Sequence, residues 1–455
     1  MPDALNVSGK FVVGSTLRHV LSMTAAGTVG LVAVFLVDVV NLFYISLLGH
    51  QEMAAAVGYA GTLLFFILSL SIGLSIAVGA MTSQALGRGD RPHARELAGA
   101  SLVMMTATMV LAALLLFPFL PYLLNLLGAT GATAELALRF SQIVLPSAPL
   151  LGLGICLSAL LRSLGDARRA MFVTLGAGAA TAALDPLLIF GFGWGLDGAA
   201  IATCLARLVM VGIGLHGVVR VHRLYAWPSA SVLRQTLQPF FAIGVPSVLT
   251  QIATPVGNAF VTGAISSFGD NAVAGWAVIG RIIPVAFAAL FALSGSVGPI
   301  LGQNLGAGRH DRLKLTMRDS LKVVVGYVLC VWLLLAIGGG WIADVFHAEG
   351  EARDLIVFFC VFVAGTYVFN GAVFVANAAF NNLGFALYST VLNWGRATLG
   401  VVPFIWLGGH YFGARGVLGG YGLGVVLFGV AGVVMCFRVL DRLEREHART
   451  PMQTP

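Results

Sequence analysis

The chain has 455 residues, of which 58% are hydrophobic and only 10% charged, and its mean hydropathy is +0.93. Soluble domains carry roughly 25% charged residues, so this chain has too little polar surface to face water all round, and a bilayer is the solvent that fits. The net charge of +7 is gathered between apolar runs with no basic patch interleaved with aromatics, which argues against a nucleic-acid partner.

The first residues, 1–16, are polar and lack the apolar core and cleavage site of a signal peptide, so the first long apolar run is expected as a retained helix. Apolar runs fall near 17–47, 54–85, 95–125, 134–161, 168–192 and 196–220, and again near 238–268, 272–304, 316–343, 354–381, 385–408 and 413–437. At ~20 residues per crossing, this predicts an all-α membrane protein of twelve helices. The expected order is a cytoplasmic N-terminus (1–16), an N-lobe (17–220), a cytoplasmic linker (221–237), a C-lobe (238–437) and a cytoplasmic tail (438–455). With both ends inside, twenty of the 26 Lys and Arg fall in inner segments and only Arg139, Arg353 and Arg415 in outer ones. Such an asymmetry fixes the orientation. The five cysteines all lie in apolar runs without CxxC or Cys/His spacing, so neither disulfide nor metal is expected.

The two halves repeat. Gln84-Ala-Leu-Gly-Arg-Gly89 recurs as Gln303-Asn-Leu-Gly-Ala-Gly308, and Leu164-Gly165 as Leu383-Gly384, both at a shift of 219. Leu48-Gly49 matches Phe268-Gly269 at a shift of 220, and Gly198 matches Gly416 at 218. Six helices per repeat is an even number, so the halves are expected to share orientation and relate by a pseudo-twofold axis along the membrane normal, a transporter's architecture. The Gln-x-Leu-Gly-x-Gly segments lack the Lys-Ser/Thr of a phosphate loop, which argues against ATP coupling.

These segments, taken with Leu36-Val-Asp38, Leu161-Arg-Ser-Leu-Gly-Asp166, Ala183-Leu-Asp-Pro-Leu-Leu-Ile-Phe190, Gly198-Ala-Ala-Ile-Ala-Thr203 and Gly244-Val-Pro246, resemble the multidrug and toxic compound extrusion (MATE) family. The resemblance is to its DinF-like branch, within the MOP flippase superfamily, and spans nearly the whole chain. It implies two six-helix lobes forming a V that export organic compounds in exchange for protons or sodium ions. It also implies a bacterial cytoplasmic membrane location and a protein acting as a monomer, without cofactor.

Asp38 and Asp185 are the only carboxylates well inside apolar runs. An ionised carboxylate costs about 3 kcal/mol there even on the lenient insertion scale, which makes it a functional candidate by default. Both are expected some 10–15 Å below the outer surface, with Thr203 at nearly that depth and Thr181 one turn from Asp185 on the same face. A carboxyl group removed from water holds its proton more readily, more so beside a second acid. The alternative is that each Asp only anchors helix packing. In the family, the positions of Asp38, Asp185 and Thr203 belong to the coupling-cation network. The family's frequent Asn one turn before the second acid is Thr181 here, which favours the proton over sodium. Pro186 breaks the helix ladder beside Asp185 and is a hinge candidate.

The second half departs from the first. The counterpart of Asp185 falls at or near Pro403, and the NorM-like branch's acids on helices 7 and 10 align with Thr254 and Asn370. Arg281 and Arg396 lie inside helices 8 and 11. Either they satisfy buried helix-end carbonyls, the reading favoured by the sequence, or they join Thr254 and Asn370 in a substrate cavity. The sequence therefore predicts a cation-coupled exporter of amphiphilic or cationic organic compounds. A flippase for lipid-linked saccharides is the rival that shares the fold, and its extra helices are missing from a count of twelve. A membrane-embedded transferase would need a loop cluster of carboxylates that the short loops do not supply, so the chain is not read as an enzyme.

Overall fold

In a bilayer every backbone polar group must be satisfied within the chain, which leaves helices as the means of crossing for apolar runs of this length. The computed structural model describes residues 9–46 and 51–449, and among them only helices and connecting turns occur. The first half contains α1 (Thr16–Ser46), α2 (Gln51–Gly87), α3 (Arg91–Leu126), α4 (Gly131–Ser163), α5 (Ala167–Gly191) and α6 (Gly195–Val221). The second begins with α7 (Ala230–Ser266) and α8, which is broken into Asp270–Ala286 and Ala288–Gly306 with a 46° bend. It continues with α9 (His310–Val345) and α10 (Gly350–Asn382).

The last apolar stretch, Ala386–His447, is 62 residues long. As one helix it would extend ~93 Å, three times the ~30 Å hydrocarbon core. It holds two crossings. At Gly413 the backbone leaves the helix (φ 63°, ψ −153°), and the chain doubles back. A Cβ at Gly416 would sit 1.9 Å from the Gly408 carbonyl oxygen, one at Gly420 would be 2.2 Å from that of Phe404, and one at Gly424 would be 1.5 Å from that of Gly400. Residue pairs that close in as the turn is approached define antiparallel limbs, α11 (386–412) and α12 (414–449), and the total is the predicted twelve. The motif Leu48-Gly49 lies outside the described residues.

The internal repeat extends to the helix boundaries. The starts of α2, α3, α4 and α5 (Gln51, Arg91, Gly131, Ala167) map onto those of α8, α9, α10 and α11 (Asp270, His310, Gly350, Ala386) at the same shift of 219. Left-handed turn residues keep that offset as well: Gly89 and Gly308, Gly128 and His347, Gly131 and Gly350, Gly165 and Gly384.

The contacts divide the chain into one unit of residues 26–248 and another of 1–25 with 249–455. The division falls inside α1 and α7, each of which begins in one unit and ends in the other. Residues 222–229 between α6 and α7 are tied to α3: Arg91 Nη2 donates to the His222 carbonyl at 2.6 Å, and Arg95 donates to that of Tyr225 at 3.2 and 3.3 Å. Helix α7 begins at Ala230, inside the stretch expected as linker, and α12 runs on to Arg449.

Candidate functional sites

In the unit of residues 26–248, α1 and α5 run side by side in parallel. A Cβ at Gly30 would meet Thr174 and Met171, and one at Gly178 would meet Val37 at 3.3 Å. Farther along, the rings of Tyr44 and Phe190 meet edge to face at 6.2 Å. This register places position 38 level with the turn of α5 that carries Thr181, about 8 Å along the axis short of Asp185. The Asp38 side chain itself lies outside the described residues.

Asp185 is 1% exposed, and neither carboxylate oxygen has a hydrogen-bond partner among the described residues. Buried carboxylates are ordinarily paired or hydrogen-bonded. Thr181 and Thr203, both half-buried, donate to the carbonyls one turn back, Ala177 at 3.1 Å and Ala199 at 3.0 Å. Their lone pairs are left over, and no hydrogen bond joins either to Asp185. Immediately after Pro186 the backbone widens into a π-helical turn over Leu187–Gly191, closed by the Phe192 N–H on the Leu187 carbonyl at 2.9 Å. The break expected near Ala182, one turn before Pro186, is not where the helix deforms: α5 stays α-helical through Pro186, and the π-helical turn begins two positions after the buried acid.

The Leu161–Asp166 segment ends in a structural device. Asp166 caps α5 through the Arg169 N–H at 3.1 Å, and its other oxygen accepts from Arg169 Nη1 at 2.5 Å and from His222 Nε2 at 2.7 Å. Partial burial alone would raise this carboxyl; the hydrogen bonds from Arg169 and His222 overcome it and hold the group below the usual carboxylate range.

The other unit carries a different centre. Arg396, in the last turn of the first segment of α11, is 4% exposed. Its Nη2 donates to Thr254 Oγ1 at 3.3 Å and its Nη1 to Asn370 Oδ1 at 3.5 Å, while Nε is buried without a partner among the described residues. The structure therefore brings together three of the four residues proposed for the second half. Arg281 is exposed and makes no hydrogen bond or ion pair among the described residues. Arg396 bonds no helix carbonyl, so the capping role favoured by the sequence does not describe it. That role belongs to Arg207, whose Nη1 meets the Val144 carbonyl at 3.2 Å and Ser147 Oγ at 2.7 Å where α4 narrows to a 3-10 turn.

Aromatic residues that the sequence did not single out form a cluster on α8, α10 and α12 that reaches toward Arg396 through Tyr367. Tyr367 is close enough to feel its charge, the Tyr421 hydroxyl approaches that of Tyr367, and Trp276 meets Tyr421 edge to face at 6.3 Å. Tyr367 also stacks on Phe287 at 4.1 Å, at the break of α8. Nothing in the sequence separates these rings from the many that would face lipid.

The sequence profile of the MatE family matches residues 28–187 and 246–407. The FAD transporter of Shewanella oneidensis is 27% identical over 95% of this chain and 97% of its own length. The multidrug export protein MepA of Staphylococcus aureus is 23% identical over 89% and 90%. Among solved structures, the Vibrio cholerae MATE transporter VcmN in the bent form superposes with a TM-score of 0.90, at 26% identity, covering 94% of this chain and 98% of its own.

Proposed function

The chain belongs to the MatE family of membrane efflux transporters, and from that premise we propose that it is a proton-coupled antiporter that exports amphiphilic organic compounds. Asp185 is the proton carrier in this reading, and Asp38 its partner on α1. The observation that carries the proposal is the buried Asp185 carboxyl with both oxygens unpartnered among the described residues. An intramembrane acid that no neighbour neutralises is stable only if it can take up a proton.

A sodium ion would ask for several oxygen ligands gathered at one point, and no hydrogen bond draws Thr181 or Thr203 to the Asp185 carboxyl. A proton needs one carboxylate oxygen. The second half offers no equivalent, because the repeat's shift of 219 carries position 185 onto Phe404. The π-helical turn after Pro186 supplies a segment whose hydrogen-bond register can shift when Asp185 changes charge. Uptake of the proton from one side and release to the other would then alternate with export of the compound. The location that goes with this reading is the bacterial cytoplasmic membrane, with both termini inside.

The test is dye transport in reconstituted vesicles with either a pH gradient or a sodium gradient imposed. The pH gradient alone is expected to drive it. Asp185→Asn is expected to lower the rate at least tenfold while leaving the unfolding temperature unchanged. Wild-type rates from that variant, or transport driven by sodium alone, would overturn the proposal.

A further inference from the structure

We propose that Arg396 is the anion-recognising group of a substrate site in the second half, and that the exported compound carries an oxyanion, phosphate or carboxylate, beside a flat ring. This rests on the export reading above and gives the substrate its chemistry.

A guanidinium has five N–H donors, and Arg396 directs only two of them at acceptors, both neutral and both at long range. No carboxylate bonds it among the described residues. Three acids of this half are engaged with other cations, Asp319 with Lys322, Asp344 with Arg353 and Asp354 with Arg415. A buried cation without a counter-ion is costly, and a permanent structural arginine is expected to resemble Arg207, which meets a helix carbonyl as well as a hydroxyl. Arg396 instead bonds no backbone carbonyl and keeps a buried Nε that has no partner among the described residues, at one end of its side edge. A guanidinium edge is the shape that accepts an oxyanion through two parallel hydrogen bonds.

The surrounding backbone supports a ligand at the same place. Arg396 lies ten residues after the start of α11 at Ala386, about 15 Å along the helix and so near the middle of a crossing. Just beyond it α11 breaks, with Gly400 N–H reaching back to Gly395 at 2.9 Å before the helix resumes at Val402. Helix α8 breaks at Phe287, beside Tyr367. The counterparts in the first half, α2 at position 68 and α5 at 179–182, run through unbroken. Discontinuous helices at mid-depth are where transporters hold their substrates. The Tyr367 ring, stacked on Phe287 at the break of α8, provides a flat surface within reach of the cation's charge, and Tyr421 and Trp276 extend the aromatic cluster from it. The Thr254 and Asn370 oxygens hold the guanidinium in place without neutralising it.

Equilibrium binding to the purified full-length protein, with no gradient present, tests this separately from coupling. The probes are methylumbelliferyl phosphate, coumarin carboxylate and their uncharged parents. Wild-type protein is expected to bind one or both anions at least tenfold more tightly than the parents, and the arm that binds names the oxyanion. Arg396→Gln is expected to abolish the preference of anion over parent. Arg396→Lys, which keeps the charge but loses the two-pronged edge, is expected to retain only part of it. If Arg396→Gln does not fold, the wild-type and Lys comparisons decide. Equal binding of anions and parents by wild type, or an undiminished preference in either variant, would overturn the proposal. A failure here with pH-driven dye transport intact would sink the anion site and leave the antiporter.

Discussion

Arg207, Arg281 and Arg396 look alike in the sequence, each a cation inside an apolar run, and the fold gives them three environments. One satisfies backbone at a helix irregularity, one is exposed, and one is buried among neutral oxygens and rings. Periodicity could flag all three but could not sort them, because the sorting depends on which carbonyl or ring another helix brings alongside. Asp185 was legible for the opposite reason: an acid in an apolar run is rare enough to stand out alone. Asp166 shows how a family motif can be structural. Its carboxyl is held below the ordinary value of ~3.9 because the folded protein prefers the charged form. Stability from this group is therefore fully present above pH ~4 and lost as pH falls through the lowered folded value. Asp166→Asn is expected to be less stable than wild type at pH 7. The difference should shrink as the pH drops below 4, measured by thermal unfolding in detergent. A gap that stays constant from pH 7 to below 4 would mean the ion pairs with Arg169 and His222 contribute nothing.

At the scale of elements, the twelve apolar runs were legible because length and hydropathy alone define a crossing. The breaks in α8 and α11 were not. The chain has 57 glycines and 16 prolines, and most leave their helices intact, so composition does not mark which ones interrupt. The repeat, extended to backbone conformation, marks the turns between helices instead. Gly128 and His347 share a left-handed turn position, with φ of 95° and 50°, although the sequence shows no kinship between Gly and His. The hairpin of α11 and α12 depends on glycine for a different reason, close approach of two backbones, as in small-residue packing within membranes. A Cβ at Gly424 would overlap the Gly400 carbonyl at 1.5 Å, whereas one at Gly419 meets nothing within 4 Å. Gly424→Val is expected to abolish the monodisperse peak in size-exclusion chromatography. Gly419→Ala on the same helix should match wild type or gain up to about 1 kcal/mol, since Ala is the better helix former. Equal behaviour of the two variants would show that the hairpin is not held by backbone contact.

At the scale of the molecule, the three arginines assigned to outer segments are each matched by an acid: Arg139 with Asp197, Arg353 with Asp344 and Arg415 with Asp354. The Gln-Asn pair of the second repeat also has a role that no motif reading supplied. Gln303 Oε1 accepts from the Phe11 N–H at 2.8 Å, and Asn304 Nδ2 and Arg312 Nη2 donate to the Phe11 carbonyl at 3.3 and 3.0 Å. Thr16 donates to Asp319 at 2.5 Å, and the Phe11 ring is 1% exposed. The segment 9–16 is therefore clipped to α8 and α9, which explains why positions 1–25 belong with 249–455. In the sequence this segment reads as a polar lead-in, because three apolar residues, Phe11-Val12-Val13, are too few to carry a periodic signal. Truncating a buried Phe to Ala typically costs about 3–5 kcal/mol. Phe11→Ala is expected to shorten the thermal inactivation half-life severalfold, and Val13→Ala, two residues on and exposed, to leave it unchanged. The backbone hydrogen bonds survive both substitutions, so a difference between them isolates the ring. Matching half-lives would mean that the segment is held by its backbone alone and that Phe11 anchors nothing.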